Sequence, residues 1–215
     1  NFRETLAPLF FSFDNKYIYV SSNIGRDKRA IVKYNPDKDK ELEVIFEHPQ
    51  VDVSSLLRSK KRKVITGVTY VTDKRHYHFF DEKRKKLQKN LEQRLPGYEV
   101  VVTNMSKDES KVLVRTFSDK SRGAYYYYDR QNNDFKKLVD VSPWLNEKYM
   151  ADMKPIKYQS KDGLTIHGYL TLPNGIEPKN LPVVVNPHGG PWARDGGGFN
   201  PEIQFLANRG YAVFQ

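Results

Sequence analysis

The chain has 215 residues, with 36 Lys and Arg against 26 Asp and Glu and a formal net charge of +10. Its mean hydropathy of -0.72 is low for a folded chain, yet 14 Tyr and 12 Phe are too many for a disordered one and suit the pleated surface of β-sheets. The absence of cysteine excludes disulfides, thiolate metal sites and a cysteine nucleophile, and no run approaches the roughly 18 apolar residues that a membrane-spanning helix needs.

Two series of strand-like segments recur along the first two thirds. The first is centred on Ile18, Ile65 and Leu113, at spacings of 47 and 48 residues; the second passes through Tyr34, Phe80 and Tyr127, at 46 and 47. Charged turns, Asp14-Asn15-Lys16 and Lys107 to Lys111, precede two of the first-series strands, and their Asp, Asn and Ser side chains suit tight hairpins. A period near 47 with several short strands per repeat predicts about three four-stranded β-propeller blades. A closed ring needs about four to eight blades, so the rest of a ring is expected to come from sequence outside this chain. A β-sandwich of irregular meanders is the alternative.

Two basic runs interrupt these segments. Arg58 to Lys63 precedes the strand through Ile65, where a turn is expected, and Lys83 to Lys86 opens a helix. Both are expected to be solvated faces rather than nucleic-acid or membrane contacts; steep salt-dependent retention on nucleic acid would favour a polyanion site instead. The helix is predicted from Asp81 as N-cap to Pro96-Gly97, with Leu87, Leu91 and Leu95 as its apolar stripe, packed on the second blade.

The pattern changes between residues 143 and 155. A hairpin is predicted from Ile156–Ser160 and Leu164–Leu172 around the turn Lys161-Asp162-Gly163. Val183-Val184-Val185 reads as a strand buried on both faces. A helix from Pro201 to Arg209 capped by Gly210 and a buried strand from Tyr211 follow. Strands, loop, helix and strand in that order open an α/β sheet. The fold class expected is therefore mainly β with an α/β tail, divided into residues 1–148 and 149–215.

The Val run leads into His188-Gly189-Gly190-Pro191-Trp192-Ala193-Arg194-Asp195. Glycine lacks Cβ, so its N–H can approach a ligand closely, and such donors stabilise the oxyanion of acyl transfer. A Gly-rich bend with no further role is the other reading of these residues alone.

The surrounding residues extend that reading. Met153-Lys154-Pro155, Asp162-Gly163-Leu164, Gly168-Tyr169-Leu170, Leu172-Pro173, Leu181-Pro182, the His188 to Asp195 run, Phe199-Asn200-Pro201-Glu202, Gln204 to Ala207 and Arg209 to Val213 resemble the prolyl oligopeptidase family of serine peptidases, in its acylaminoacyl-peptidase-like branch. His48 to Val53, Leu95-Pro96-Gly97 and the Tyr-rich strand ending at Asp129 agree with it. The resemblance implies a β-propeller joined to an α/β-hydrolase domain, with the substrate cavity between them. Residues 1–148 would be the last blades, and 149–215 the truncated start of the hydrolase domain. It implies hydrolysis of short or N-acylated peptides through an acyl-enzyme, with no cofactor. The nucleophilic serine, the acid and the catalytic histidine are expected downstream, since no Gly-x-Ser-x-Gly occurs here; the chain alone is expected to be inactive. Gly196-Gly197-Gly198 stands where family members often carry a bulky aromatic.

Within the chain, Gly189 and Gly190 are the candidates for the oxyanion loop. His188, Trp192, Arg194 and Asp195 are candidates for orienting that loop or touching substrate. His188 is expected to orient it by hydrogen bonding. Arg194 either pairs with Asp195 or meets a substrate carboxylate, which a guanidinium suits. His76 and His78, two apart on one strand, are expected to be a blade-face pair rather than metal ligands, and His167 structural. Peptides are the expected partners, together with self-association through exposed hydrolase-domain strands. The rival class is a non-catalytic β-propeller that binds a protein or peptide. The chain starts at Asn1, so its N-terminus is expected not to be the natural one, and the compartment is left open.

Overall fold

A computed structural model describes residues 3–190 and 193–215, apart from the side chain of Ser54. Strand accounts for 43% and helix for 11% of the chain, which is mainly β as expected. The chain divides into two compact units, residues 1–90 and 91–215.

In the first unit, Leu6–Phe11 (β1), Ile18–Ser22 (β2), Ala30–Asn35 (β3) and Lys40–Phe46 (β4) form an antiparallel meander in that order. The turn before β2 shows why the sequence bends there. Ser12 Oγ donates to Asp14 Oδ1 at 2.5 Å, and Tyr17 N donates to Ser12 Oγ at 3.0 Å. Asn15 takes φ 59°, the left-handed region that Asn tolerates. Val53–Ser59 (β5), Val64–Val71 (β6) and Arg75–Phe79 (β7) form a second antiparallel sheet of three strands. Among the described residues the expected fourth strand is absent from this sheet, and the chain leaves β7 for a helix. Ile31, Val53, Leu56 and Val68 make the buried core shared by β3, β5 and β6, with Phe10 and Phe46 packed against it.

The helix is Glu82–Arg94 (α1), and the division between units falls inside it. Asp81 caps it as the sequence indicates: its Oδ1 accepts from Arg84 N at 2.8 Å. The same carboxylate holds Arg62 through two bonds of 2.6 and 2.9 Å. The basic runs thus lie in the β5–β6 turn and the first turns of α1, and Arg62 ties the one to the cap of the other. Leu87, Leu91 and Leu95 are buried.

In the second unit, Glu99–Met105 (β8), Lys111–Phe117 (β9), Ala124–Asp129 (β10) and Asp134–Asp140 (β11) form another four-stranded antiparallel meander. The turn before β9 repeats the Ser-x-Asp device, with Ser106 Oγ donating to Asp108 Oδ1 at 2.5 Å. The helix meets the second repeat as expected, with Arg84 5.4 Å from the centre of the Phe79 ring, and Arg94 at its C-terminal end also sits over Tyr128 and Phe135 of this third sheet, 5.1 and 5.5 Å from the ring centres. Both are cation–π contacts.

Met153–Gln159 (β12), Thr165–Thr171 (β13), Val183–Val185 (β14), Pro201–Asn208 (α2) and Ala212–Phe214 (β15) follow. Their sheet runs β12-β13-β15-β14, antiparallel except for the parallel pair β14–β15. Gly168 makes this packing possible: a Cβ there would lie 2.5 Å from both the Gln215 carbonyl oxygen and the Phe214 ring. The Val run departs from its reading. Among the described residues it pairs only with β15, at the edge of the sheet, and Val183 and Val185 are 60% and 66% exposed. An unbroken apolar run needs two flanking strands and two covered faces, and β14 has one neighbour.

The last sheet of the repeat and this mixed sheet share the second unit through Gln204 of α2. Its Nε2 donates to Asp119 O and Ala151 O at 2.9 and 2.8 Å, and its Oε1 accepts from Ala151 N at 2.8 Å. Met153 N donates to Asp119 Oδ2 at 2.8 Å, and Lys120 pairs with Asp152 at 2.8 Å.

Candidate functional site

The site is built outward from the end of β14. Asn186 N donates to Phe214 O at 2.8 Å, extending the pairing one residue past the strand. Pro187 has no N–H to donate, and the chain leaves the sheet there. His188, Gly189 and Gly190 are exposed. Among the described residues, neither glycine N–H donates to a main-chain carbonyl. No atom lies within 4 Å of where a Cβ of Gly189 would stand, the residue's chain neighbours apart. His188 Nδ1 lies 2.7 Å from the Gly189 carbonyl oxygen and donates to it in the tautomer that protonates this nitrogen. Trp192 lies outside the described residues.

The segment then turns from glycine-rich loop into helix. Arg194 Nε donates to the main-chain carbonyl oxygen of Asp195 at 3.2 Å. Gly198 takes φ 152°, a conformation closed to most side chains. Asn200 caps α2, accepting from Glu202 N at 3.0 Å and Ile203 N at 3.4 Å, and Pro201 occupies the first turn, where it costs no hydrogen bond.

A cavity of about 550 Å³ opens between this segment and β9. Its wall includes residues 194–201, Arg115 and Phe117 of β9, and Arg122 ahead of β10. The guanidinium of Arg115 donates through Nη1 to the Thr116 carbonyl and lies 5.0 Å from the centre of the Tyr125 ring. Arg122 Nη1 donates to Ser142 Oγ at 3.2 Å. Arg194 and Asp195 are thus brought together with two arginines that sequence reading did not single out. Strand alternation carried a signal for one of them: Val112, Val114 and Thr116 are buried, which turns Arg115 to the opposite face. No comparable signal exists for Arg122. His188, Gly189 and Gly190 are not among the residues of the cavity wall.

The other histidines sit elsewhere. His76 and His78 stand on β7 in an aromatic ladder. His78 stacks on Phe46 at 4.7 Å, while His76 and His48 stack on Tyr70 at 5.5 and 4.5 Å. His76 also faces Asp73 at 3.4 Å. The Thr72 hydroxyl, more than His76, holds that carboxyl down at about 2. His167 is exposed on β13, opposite Lys157. Among the described residues no group of three His, Asp or Glu side chains is placed to hold a metal ion, and no helix is long and apolar enough to cross a membrane.

Comparison with known proteins matches no family model. Dipeptidyl aminopeptidase BIII of Pseudoxanthomonas mexicana is 29% identical over 216 residues, which cover 97% of this chain and 31% of that protein. A puromycin-hydrolyzing peptidase of Mycobacterium tuberculosis superposes with a TM-score of 0.68 at 16% identity, over 100% of this chain and 33% of that one. The acylaminoacyl peptidase of Pyrococcus horikoshii gives 0.59 at 16% identity, over 98% and 32%. The chain spans about a third of the length of the curated relatives it matches.

Proposed function

We propose, from the premise that the relatives and structural neighbours of this chain are prolyl oligopeptidase family peptidases along its whole length, that it forms part of a serine peptidase. Residues 1–148 are the closing blades of its propeller, and residues 149–215 open its α/β-hydrolase domain. The enzyme hydrolyses short or N-acylated peptides. A serine supplied by the rest of the enzyme attacks the scissile carbonyl, the amine leaves, and water hydrolyses the acyl-enzyme. Gly189 and Gly190 contribute main-chain N–H groups to the oxyanion, with His188 fixing the loop through the Gly189 carbonyl. Without serine, acid and histidine the 215-residue chain does not turn over substrate.

The observation that carries this reading is the pair of glycine amides beyond β14, exposed and not bonded to main-chain carbonyls among the described residues. Backbone donors of this kind are worth about 10²–10³ in turnover. The experiment is labelling with a fluorophosphonate, which reacts with activated serines. The whole protein is expected to be labelled and to release p-nitroaniline from N-acetyl-alanine p-nitroanilide, and the 215-residue chain is expected to do neither. A whole protein that is well folded yet unlabelled and inactive would favour the other class, a propeller that binds peptides without cleaving them.

A further inference from the structure

Hydrophobic burial decides that α2 packs on its sheet but not where it comes to rest, because that force has no direction. Ile203 and Ala207, both buried, supply the burial. Gln204, buried beside them, adds direction. An amide side chain offers two N–H donors and one carbonyl, and all three are engaged. Nε2 donates to Asp119 O and Ala151 O, and Oε1 accepts from Ala151 N. Three parts of the chain thus meet at one side chain: α2, the crossing of residues 150–153 into β12, and the turn between β9 and β10. Every residue of that crossing is held. Met150 O accepts from Asn174 Nδ2 at 2.7 Å, and Ala151 gives both main-chain groups to Gln204. Asp152 pairs with Lys120 at 2.8 Å, and Met153 N donates to Asp119 Oδ2 at 2.8 Å. The crossing is strapped down at four consecutive positions.

This strap bears on the glycine loop. The loop leaves the sheet at Asn186, whose N–H still pairs with Phe214 O, and runs to Asn200, the cap of α2. One end is therefore set by the sheet and the other by α2, whose place against the last sheet of the repeat Gln204 fixes through Asp119. We infer that Gln204 is a positioning residue for the reaction: with Asp119 it sets where the Gly189–Gly190 segment stands relative to that sheet, and so where a bound peptide meets the two amides. A misplacement of about 1 Å in such groups costs on the order of 10²-fold in rate. The role in turnover rests on the peptidase reading. The strap does not, because its hydrogen bonds are measurable in a chain that performs no hydrolysis.

The test has two arms. In the complete protein, kcat and KM for N-acetyl-alanine p-nitroanilide are compared with those of Gln204→Met, Asp119→Ala and Asp119→Asn, at a temperature where each is folded. Gln204→Met keeps the length of the side chain and removes its three bonds. Asp119→Ala removes the acceptor for Met153 N, and Asp119→Asn keeps one. Gln204→Met and Asp119→Ala are each expected to lower kcat by about 10-fold or more, with KM changing less, and Asp119→Asn to stay near the unaltered enzyme. Should Gln204→Met fail to fold, Asp119→Ala, at a half-buried turn position, carries the comparison. In the 215-residue chain, amide exchange followed by NMR is expected to quicken about 10-fold at Ala151 in Gln204→Met and at Met153 in Asp119→Ala. Lower urea midpoints with kcat unchanged would show that the strap only stabilises, and would overturn the inference. So would unaltered exchange at both amides, or a loss in Asp119→Asn equal to that in Asp119→Ala. An active complete protein whose variants keep their kcat leaves the peptidase reading standing without this role. An inactive one removes the peptidase reading and the role with it, and exchange then decides whether the strap holds.

Discussion

At the scale of single residues, a few polar side chains do work that their neighbours cannot replace. Asp81 both caps α1 and receives Arg62, and the Arg62 guanidinium is the main cause holding its carboxyl below the ordinary 3.8. A carboxyl held below its unfolded value stabilises the fold above that unfolded value and loses the contribution as the pH falls on through its lower folded value. Asp81→Ala is expected to cost about 1–2 kcal/mol at neutral pH, the usual worth of a cap. Urea unfolding should show that difference shrinking below pH 3.8; a difference that persists undiminished in acid would assign the effect to something other than the charge. Gln204 is the second such residue. Buried at 4% exposure, it satisfies three main-chain groups at Asp119 and Ala151. Gln204→Ala strands them, and a loss on the order of 3 kcal/mol is expected. A midpoint in urea within experimental error of the unaltered chain would contradict that. Its amide was invisible to sequence reading, where Gln204 is one polar position in a short helix. Its partners lie 85 and 53 residues away, so only the tertiary fold brings them together.

At the scale of elements, hairpins were legible and sheet edges were not. Ile18 stands directly opposite Tyr34, and Leu113 directly opposite Tyr127. The two strand series recognised by spacing are therefore the paired strands of one hairpin, repeated. In the middle repeat Gly67 faces Phe79 instead, and the chain goes on to α1, which no strand spacing could announce. The Val run failed for a different reason: its composition reports apolarity but not how many strands flank it. As an edge with two exposed valines, β14 is a template for further pairing. Self-association through it is expected, and sedimentation velocity of the chain should show a concentration-dependent rise in mass that Val183→Lys with Val185→Lys removes. A chain that stays monomeric at every concentration would contradict this. The cavity was only half legible. Arg194 and Asp195 stood out beside the glycines, but Arg115 and Arg122 belong to the preceding sheet and reach the cavity through packing that Gln204 and Asp119 secure.

At the scale of the whole molecule, the second unit places the closing sheet of the repeat and the opening of the α/β tail in one compact body, so the cavity and the glycine loop rest on shared packing. The chain matches only about a third of its curated relatives, and on the proposed reading the chemistry depends on what the remaining polypeptide brings to these glycine amides. The decisive measurement is therefore the steady-state hydrolysis of N-acetyl-alanine p-nitroanilide by the complete protein, compared with its Gly189→Pro and Gly190→Pro forms, in which one N–H is deleted at a time. At least one variant should lose about 10²–10³-fold in kcat while KM changes little, the mark of an interaction made in the transition state. If the complete protein turns over this substrate and both proline variants keep its kcat, the glycine pair holds no oxyanion and the central claim is wrong.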